Sequence, residues 1–548
     1  MTAAIYFHPE AYTTAGPKLM GRNAAGESFL RGFLAYSKTD EFWVQTQQSE
    51  HASAFAAMVK GAGRTQSVRA VDQTSLAALA EVGVTYFPGP GIGQHARQRS
   101  YFGDAKWSLC GITHTTSSAL AMDALADLIV APVQPWDAVI CTSAAVKENV
   151  MSLLRAQIEY LRTRLGVAQV VLPLLPVIPL GIHTSDFVFR EEQKIDARRS
   201  IGADEQTLVV LFMGRLSFHA KAHPLAMYQA LENASRGRQV VLVECGWHAN
   251  THVADAYRDA ASLACPNVRV VNLDGRRAED RQTAWASADI FCSLSDNIQE
   301  TFGIVPIEAM AAGLPVVVSD WDGYKDTVRD GVDGFRIPTL MPATELGGDL
   351  ALRHALEIDT YDMYCGLTCS LVAVDVEATT HAFEQLFASR DLRRRLGEAG
   401  RQRARQDYDW AAIIPRYEAL WDEQREMRIA HDRSQKPLGP PWPARMDPFH
   451  AFANYPTRTL GPQTLVGLAA ADAATSVARV AKYKQLAMVN FAKYVFPTEV
   501  EIELVLNAAE SGVRPAVELL AGIATDRQAF VFRALAWLLK LGVLKIYR

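Results

Sequence analysis

Residues 288–337 read ADIFCSLSDNIQETFGIVPIEAMAAGLPVVVSDWDGYKDTVRDGVDGFRI, and the order of elements in this stretch decides the fold. Ile290-Phe291-Cys292 and Pro315-Val316-Val317-Val318 are short apolar runs bounded by polar residues or glycine, the composition of buried strands. A helix lies between them and a Gly-punctuated loop follows, so the stretch reads as a unit of a parallel α/β sheet covered by helices. Glu300 stands just before the helix, Thr301-Phe302-Gly303 forms its entrance, and Glu308 lies inside it. A loop that opens a helix leaves free N–H groups at the positive end of the helix dipole, where an anion is favoured. Carboxylates beside that point suit neutral hydroxyl groups, although a lone Glu would equally complement the dipole.

Glu300, seven intervening residues, Glu308 and then Ala309-Met310-Ala311-Ala312-Gly313-Leu314-Pro315-Val316-Val317 closely resemble the donor motif of family-four glycosyltransferases. The resemblance implies a GT-B fold, with two Rossmann-like doubly wound domains facing each other across a cleft. It also implies retention of anomeric configuration, no cofactor and no bound metal, and a UDP-, GDP- or ADP-sugar as donor. Thr301, Phe302, Gly303 and Ile304 are then expected to line the donor, Glu300 to hold hydroxyls of its sugar and Glu308 the ribose hydroxyls.

Working outward, Thr207 to Met213 is a strand that runs into Gly214-Arg215-Leu216-Ser217 and on to Lys221. Cations on a loop at the carboxyl end of a strand can neutralise a departing diphosphate, and they can also be a solvated basic loop. Gly214, Arg215 and Lys221 match the family's diphosphate-binding residues. Strands are expected at 239–244, 268–272 and 289–293. In the amino-terminal half the strand Ile5-Tyr6-Phe7 is followed by a loop holding Gly21, Arg22 and Gly26, expected to end where a helix starts at Ser28. Family-four enzymes have a similar loop near the donor phosphates and the acceptor. Further strands fall at 42–46, 67–72 and 84–87, then Leu109 to Thr113, which ends at His114, and Ala138 to Ser143. His114 resembles the family's histidine at the transferred sugar. Pro179 to Phe187 resembles the interdomain stretch, with His183 where the family has Asp.

The domains expected are 1–185, 186–427, a Pro-rich linker over 428–456 and a helical accessory module over 457–548. Residues 339–374 interrupt the family pattern as an insertion, helical from Asp349 to Ile358 and irregular from Tyr361 to Val374. Tyr408-Asp409-Trp410, Tyr417 and Trp421 resemble the aromatic terminal helix that crosses back to the first half. In the module, Thr498 and Glu501 form a capping-box pattern, and three helices with a terminal strand suggest a winged-helix-like unit. Its last helix, with Phe530, Val531, Phe532, Leu535, Trp537, Leu538 and Leu539, reads as a docking or dimerisation surface or as core.

A chain of 548 residues with 49% hydrophobic and 21% charged residues suits roughly three globular domains. A net charge of −5 argues against nucleic acid as partner. The amino terminus lacks a signal-peptide pattern and no apolar run suits a membrane span, so a cytoplasmic location is expected, with peripheral membrane contact and homodimer or partner docking through 457–548 left open. Seven scattered cysteines suit reduced thiols. The expected activity is transfer of a sugar to a glycan-type, lipid-linked or small-molecule hydroxyl. The rivals are a sugar-nucleotide-dependent synthase acting on a free sugar or sugar phosphate, and a non-catalytic scaffold.

Overall fold

The computed structural model describes residues 2–13, 21–431 and 441–547. Residues 14–20 of the expected glycine loop, and Pro437 and Pro440 of the Pro-rich stretch, lie outside the described residues. Two compact units divide the chain, Met1–Pro443 and Ala444–Arg548.

The first unit holds two six-stranded parallel sheets. Strands β1 (Ala4–Tyr6), β2 (Glu41–Gln45), β3 (Ser67–Val71), β4 (Val84–Tyr86), β5 (Ser108–Ile112) and β6 (Ala138–Ile140) lie in the order β3-β2-β1-β4-β5-β6. Strands β7 (Leu208–Met213), β8 (Val240–Gly246), β9 (Arg269–Asp274), β10 (Ile290–Ser293), β11 (Val316–Ser319) and β12 (Gly334–Ile337) lie in the order β12-β11-β10-β7-β8-β9. Counted from its own first strand, each sheet has the same order, which reverses direction between β1 and β4 and between β7 and β10. A doubly wound sheet opens a crevice at such a reversal, at the carboxyl ends of its strands. The central strands are apolar but for Glu244, because helices cover both faces: Leu208–Met213 and Val240–Gly246 are buried along their whole length.

The helix Trp410–Ala430 joins the two halves. Trp410 donates from Nε1 to Ser28 Oγ at 2.8 Å, and Gln424 donates from Nε2 to the carbonyls of Leu109 and Trp136, both at 2.9 Å. Tyr417 packs against Phe29 and Tyr86, and Trp421 against Phe33 and Tyr86. The helix starts after β12 in sequence yet buries its aromatic face on the first sheet, so the halves share one continuous core.

In the first unit, the first helix and the insertion differ from expectation. The first helix spans Gly21–Tyr36, so Gly21 and Gly26 are helical and do not belong to a loop before Ser28. A Cβ on Gly26 would sit 1.9 Å from the Ala11 carbonyl oxygen, so close backbone packing, and not turn formation, requires glycine there. Within the insertion, β13 (Thr339–Leu340) pairs antiparallel with β14 (Ala373–Val374), and Tyr361–Cys369 is a helix where an irregular segment was expected. Thr360 caps it by accepting from the Met363 amide at 3.3 Å, and burial of Cys365, Gly366 and Cys369 holds it in place.

The second unit places β15 (Leu465–Leu468) between β16 (Arg514–Pro515) and β17 (Leu544–Ile546) in an antiparallel sheet, against helices Ala473–Lys484, Glu499–Glu510 and Gln528–Lys540. The Thr498–Glu501 capping box is formed. Two of the strands, β15 and β16, were not expected, being too short to carry a pattern. The docking reading of the last helix is corrected: Val531, Ala534, Leu535 and Leu538 are buried in the core of this unit. The seven cysteines are all buried free thiols.

Candidate active site

The carboxyl ends of β7 and β10 carry the expected donor residues. Gly214, at φ 150°, ends β7, and a Cβ on Gly246 at the end of β8 would meet the Gly214 carbonyl oxygen at 1.9 Å. Only glycine fits there, so the ends of β7 and β8 pack backbone against backbone. From this edge Arg215 donates to the Ala220 carbonyl at 2.8 Å and to Gln299 Oε1 at 3.0 Å, bringing the guanidinium onto the loop that follows β10.

Lys221 Nζ lies 2.5 Å from Glu300 Oε2, with side chains 26% and 10% exposed. Burial pushes the Glu300 carboxyl up, but the Lys221 ammonium and the amides of Thr301 and Gly303 outweigh it and hold the group below the usual carboxylate range. Glu300 therefore occupies, with its own carboxylate, the helix-start amides and the cation expected to receive a phosphate. The helix Ile304–Ala312 begins after Gly303, at φ 83°, where a Cβ would lie 2.1 Å from the Tyr324 ring.

The amino-terminal half closes over this loop. Thr301 Oγ1 donates to the His114 carbonyl at 3.2 Å, and Ser143 Oγ donates to the Thr301 carbonyl at 2.8 Å. The amide of Ala144, which opens the helix Ala144–Leu165, donates to Asp326 at 2.6 Å. Contacts thus bring Arg215, Lys221, Glu300, Thr301 and the backbone of His114 to one place, with Gly214 and Gly303 next to them in sequence. Phe302 is buried, its ring 6.2 Å from Tyr408, and Ile304 is half-buried at the first turn of the helix.

Glu308 sits apart from the Glu300 pair, on the partly buried side of the same helix. Burial pushes its carboxyl up to about 7, Arg281 opposing and Asp186 adding to the rise. Gly21 has open space at its Cβ position and Gly26 meets Ala11 and Tyr12, so their described contacts lie within the first half and not on the donor loop. The side chain of Arg22 lies outside the described residues.

Sequence reasoning missed three participants. Asp322 has φ 42° and its carboxyl is pushed up to about 8 by burial and by the Glu300 anion; its Oδ1 lies 3.3 Å from Ser143 Oγ. The dipeptide Asp322-Gly323 signals a turn, and nothing in it shows that the carboxyl faces the cleft. Asn297 donates from Nδ2 to the His219 carbonyl at 3.0 Å, fastening the loop after β10 to the loop that carries Lys221. Tyr361, in the insertion, places its hydroxyl 3.0 Å from Ser117 Oγ and 3.3 Å from Thr115 Oγ1, next to His114.

Residues 193–344 match the family described as glycosyl transferases group 1. An uncharacterized glycosyltransferase of Methanocaldococcus jannaschii is 30% identical over 201 residues, 36% of this chain and 46% of the relative. A phosphatidyl-myo-inositol mannosyltransferase of Mycobacterium tuberculosis is 31% identical over 167 residues, 30% of this chain and 40% of the relative. The chain spans less than half the length of these curated relatives. Among solved structures, the Anabaena protein HepE in complex with UDP superposes with a TM-score of 0.51 at 15% identity, over 77% of this chain and all of that one. The paired doubly wound sheets are the GT-B fold.

Proposed function

We propose, from the premise that residues 193–344 are a glycosyl transferases group 1 domain set in a GT-B fold, that this protein is a retaining glycosyltransferase. It moves a sugar from a nucleoside diphosphate sugar to an acceptor hydroxyl. The observation that carries the reading is the meeting of Lys221, Arg215 and Glu300 at the strand ends, with Thr301 held against His114 of the opposite half.

In this reading the donor diphosphate takes the place that Glu300 occupies at the helix-start amides. Arg215 and Lys221 then face the leaving diphosphate, where fixed cations in a water-poor cleft stabilise charge as the glycosidic bond breaks. Glu300, displaced from Lys221, turns its oxygens to hydroxyls of the donor sugar, and the His114 side chain approaches the sugar from the first half. Glu308 takes the ribose hydroxyls as acceptor of their hydrogen bonds. Arg215, Lys221 and Glu300 at the strand ends of one sheet and His114 at those of the other orient donor and acceptor before reaction, which removes part of the entropic barrier. HepE, sharing the fold, was solved with UDP, which supports a nucleotide in this cleft. Buried unpaired thiols suit a reducing, cytoplasmic location.

Release of nucleoside diphosphate from a panel of UDP-, GDP- and ADP-sugars tests the proposal. One donor is expected to be turned over, and much more slowly by Lys221→Ala. A folded protein that releases diphosphate from none of them refutes it.

A further inference from the structure

The carboxyl-terminal unit leaves several large apolar side chains outside its own core. Its core is built from Val466, Val480, Ile502, Leu506, Leu535 and their neighbours, and none of residues 481–498 contributes to it. Residues 485–498 form an excursion between the helices Ala473–Lys484 and Glu499–Glu510. Its far end is anchored: Phe496 stacks on Trp537 with ring centroids 4.3 Å apart, and Pro497 is buried. Between the anchors Met488 is 80% exposed, Phe491 82% and Tyr494 86%.

Charge singles out the same stretch. From Ala473 to Thr498 there are four cations, Arg479, Lys482, Lys484 and Lys493, and no carboxylate, in a chain whose net charge is −5. Lys484 pairs with Glu499, and Arg479 reaches the Gly542 carbonyl. Lys482 and Lys493 are exposed; Lys482 precedes the apolar tip in sequence and Lys493 lies within it, between Phe491 and Tyr494.

We propose that residues 482–495 are a membrane-docking tip, inserting Met488, Phe491 and Tyr494 among the headgroups of an anionic lipid surface while Lys482 and Lys493 meet the lipid phosphates. Met488, Phe491 and Tyr494, with Leu486 and Val495 47% and 41% exposed beside them, form a small apolar tip accompanied by cations and by no carboxylate, a charge pattern that complements an anionic lipid surface. A lipid interface takes such isolated apolar knobs singly, and aromatic rings with a polar edge are favoured there. A lysine beside an anionic surface strengthens binding by about fivefold. The tip combines the end of the helix Ala473–Lys484 with the short helical turns Ala487–Asn490 and Lys493–Val495 and is not a membrane-crossing segment: no helix among the described residues is long and apolar enough to span a bilayer.

The test uses the full chain with sedimented vesicles of phosphatidylcholine alone, or mixed with an equal part of phosphatidylglycerol. Binding is expected to the mixed vesicles only, and to fade in high salt. The triple variant M488S/F491S/Y494S, altered only at exposed positions, is expected to bind at least tenfold more weakly. The variant K482E/K493E is expected to lose about 25-fold or more on mixed vesicles, two lysines' worth. Unchanged thermal melting confirms that both variants fold. Wild-type protein that ignores anionic vesicles overturns the proposal, as does a triple variant that binds them undiminished. Conversion of a wild-type dimer to a monomer by the triple variant, without vesicle binding, assigns the tip to a second copy of the chain and also overturns it.

Discussion

Replacing Lys221 by alanine separates the two roles that the Lys221–Glu300 pair combines. The ammonium and carboxylate lie 2.5 Å apart, 26% and 10% exposed, so their gross attraction at an effective dielectric of about 20 is several kcal/mol, much of it offset by desolvation. The first expected effect is on turnover. Loss of one fixed cation facing a developing anion lowers kcat by about 10²–10³, or roughly 3–4 kcal/mol. The second effect is on Glu300. Burial raises its carboxyl and Lys221 is the largest of the influences that lower it, so without the lysine the group is protonated at higher pH. If donor binding needs Glu300 ionised, the acid limb of the kcat/KM profile moves upward in Lys221→Ala and returns in Lys221→Arg, which restores charge without the same geometry. Steady-state kinetics against pH at varied donor gives both numbers. Near-normal turnover at saturating donor refutes the leaving-group role, and an unmoved acid limb refutes the electrostatic account of Glu300.

Arg215→Ala is expected to lower turnover on the same scale, read in the same assay. Glu308→Gln is expected to raise the donor KM more than it lowers kcat, with Glu300→Gln doing the reverse, because a ground-state ribose contact affects affinity and a contact to the reacting sugar tightens as charge develops; identical profiles would contradict the division. Glu244, 2% exposed and bonded to the Tyr228 hydroxyl at 2.5 Å, has its carboxyl pushed up to about 7, chiefly by burial. A carboxyl raised on folding stabilises below its unfolded pKa of ~4.5, and that stability is lost as pH rises from there through 7, so denaturant titrations should show Glu244→Gln gaining about 2–3 kcal/mol over wild type between pH 5 and pH 8. A chain ending at Pro443 is expected to keep donor hydrolysis, since the core of the second unit draws on no residue before Leu460; loss of donor binding by that folded fragment would place the second unit in the site.

The donor half was legible because its signal is local. Two apolar runs, a helix and the Glu300 to Glu308 spacing fall within one contiguous stretch, and Arg215 and Lys221 follow a strong strand, so the pattern placed them after strands while the family resemblance supplied their expected donor role. What was missed depends on contacts between distant segments. Gly21 and Gly26 are poor helix formers, and only the approach of Ala11 to Gly26 shows why a helix carries them. The helix Tyr361–Cys369 is set by burial against Phe218 and His219, residues far away in sequence. The pairing of Glu300 with Lys221 spans 79 residues, so no reading of the loop by itself could show that the carboxylate holds the helix start. Asp322 illustrates the same limit, since its turn is legible and its direction is fixed by Ser143 of the other half.

The most direct measurement of the central claim follows one nucleoside diphosphate sugar through wild-type protein and the Lys221→Ala, Glu300→Gln double variant. Diphosphate release is quantified, and the anomeric configuration of the glycoside product is read by NMR. The account predicts release by the wild type, a product with the donor's configuration, and a loss of at least about 10² in the double variant. Release that persists undiminished in the double variant, or a product of inverted configuration, would contradict it.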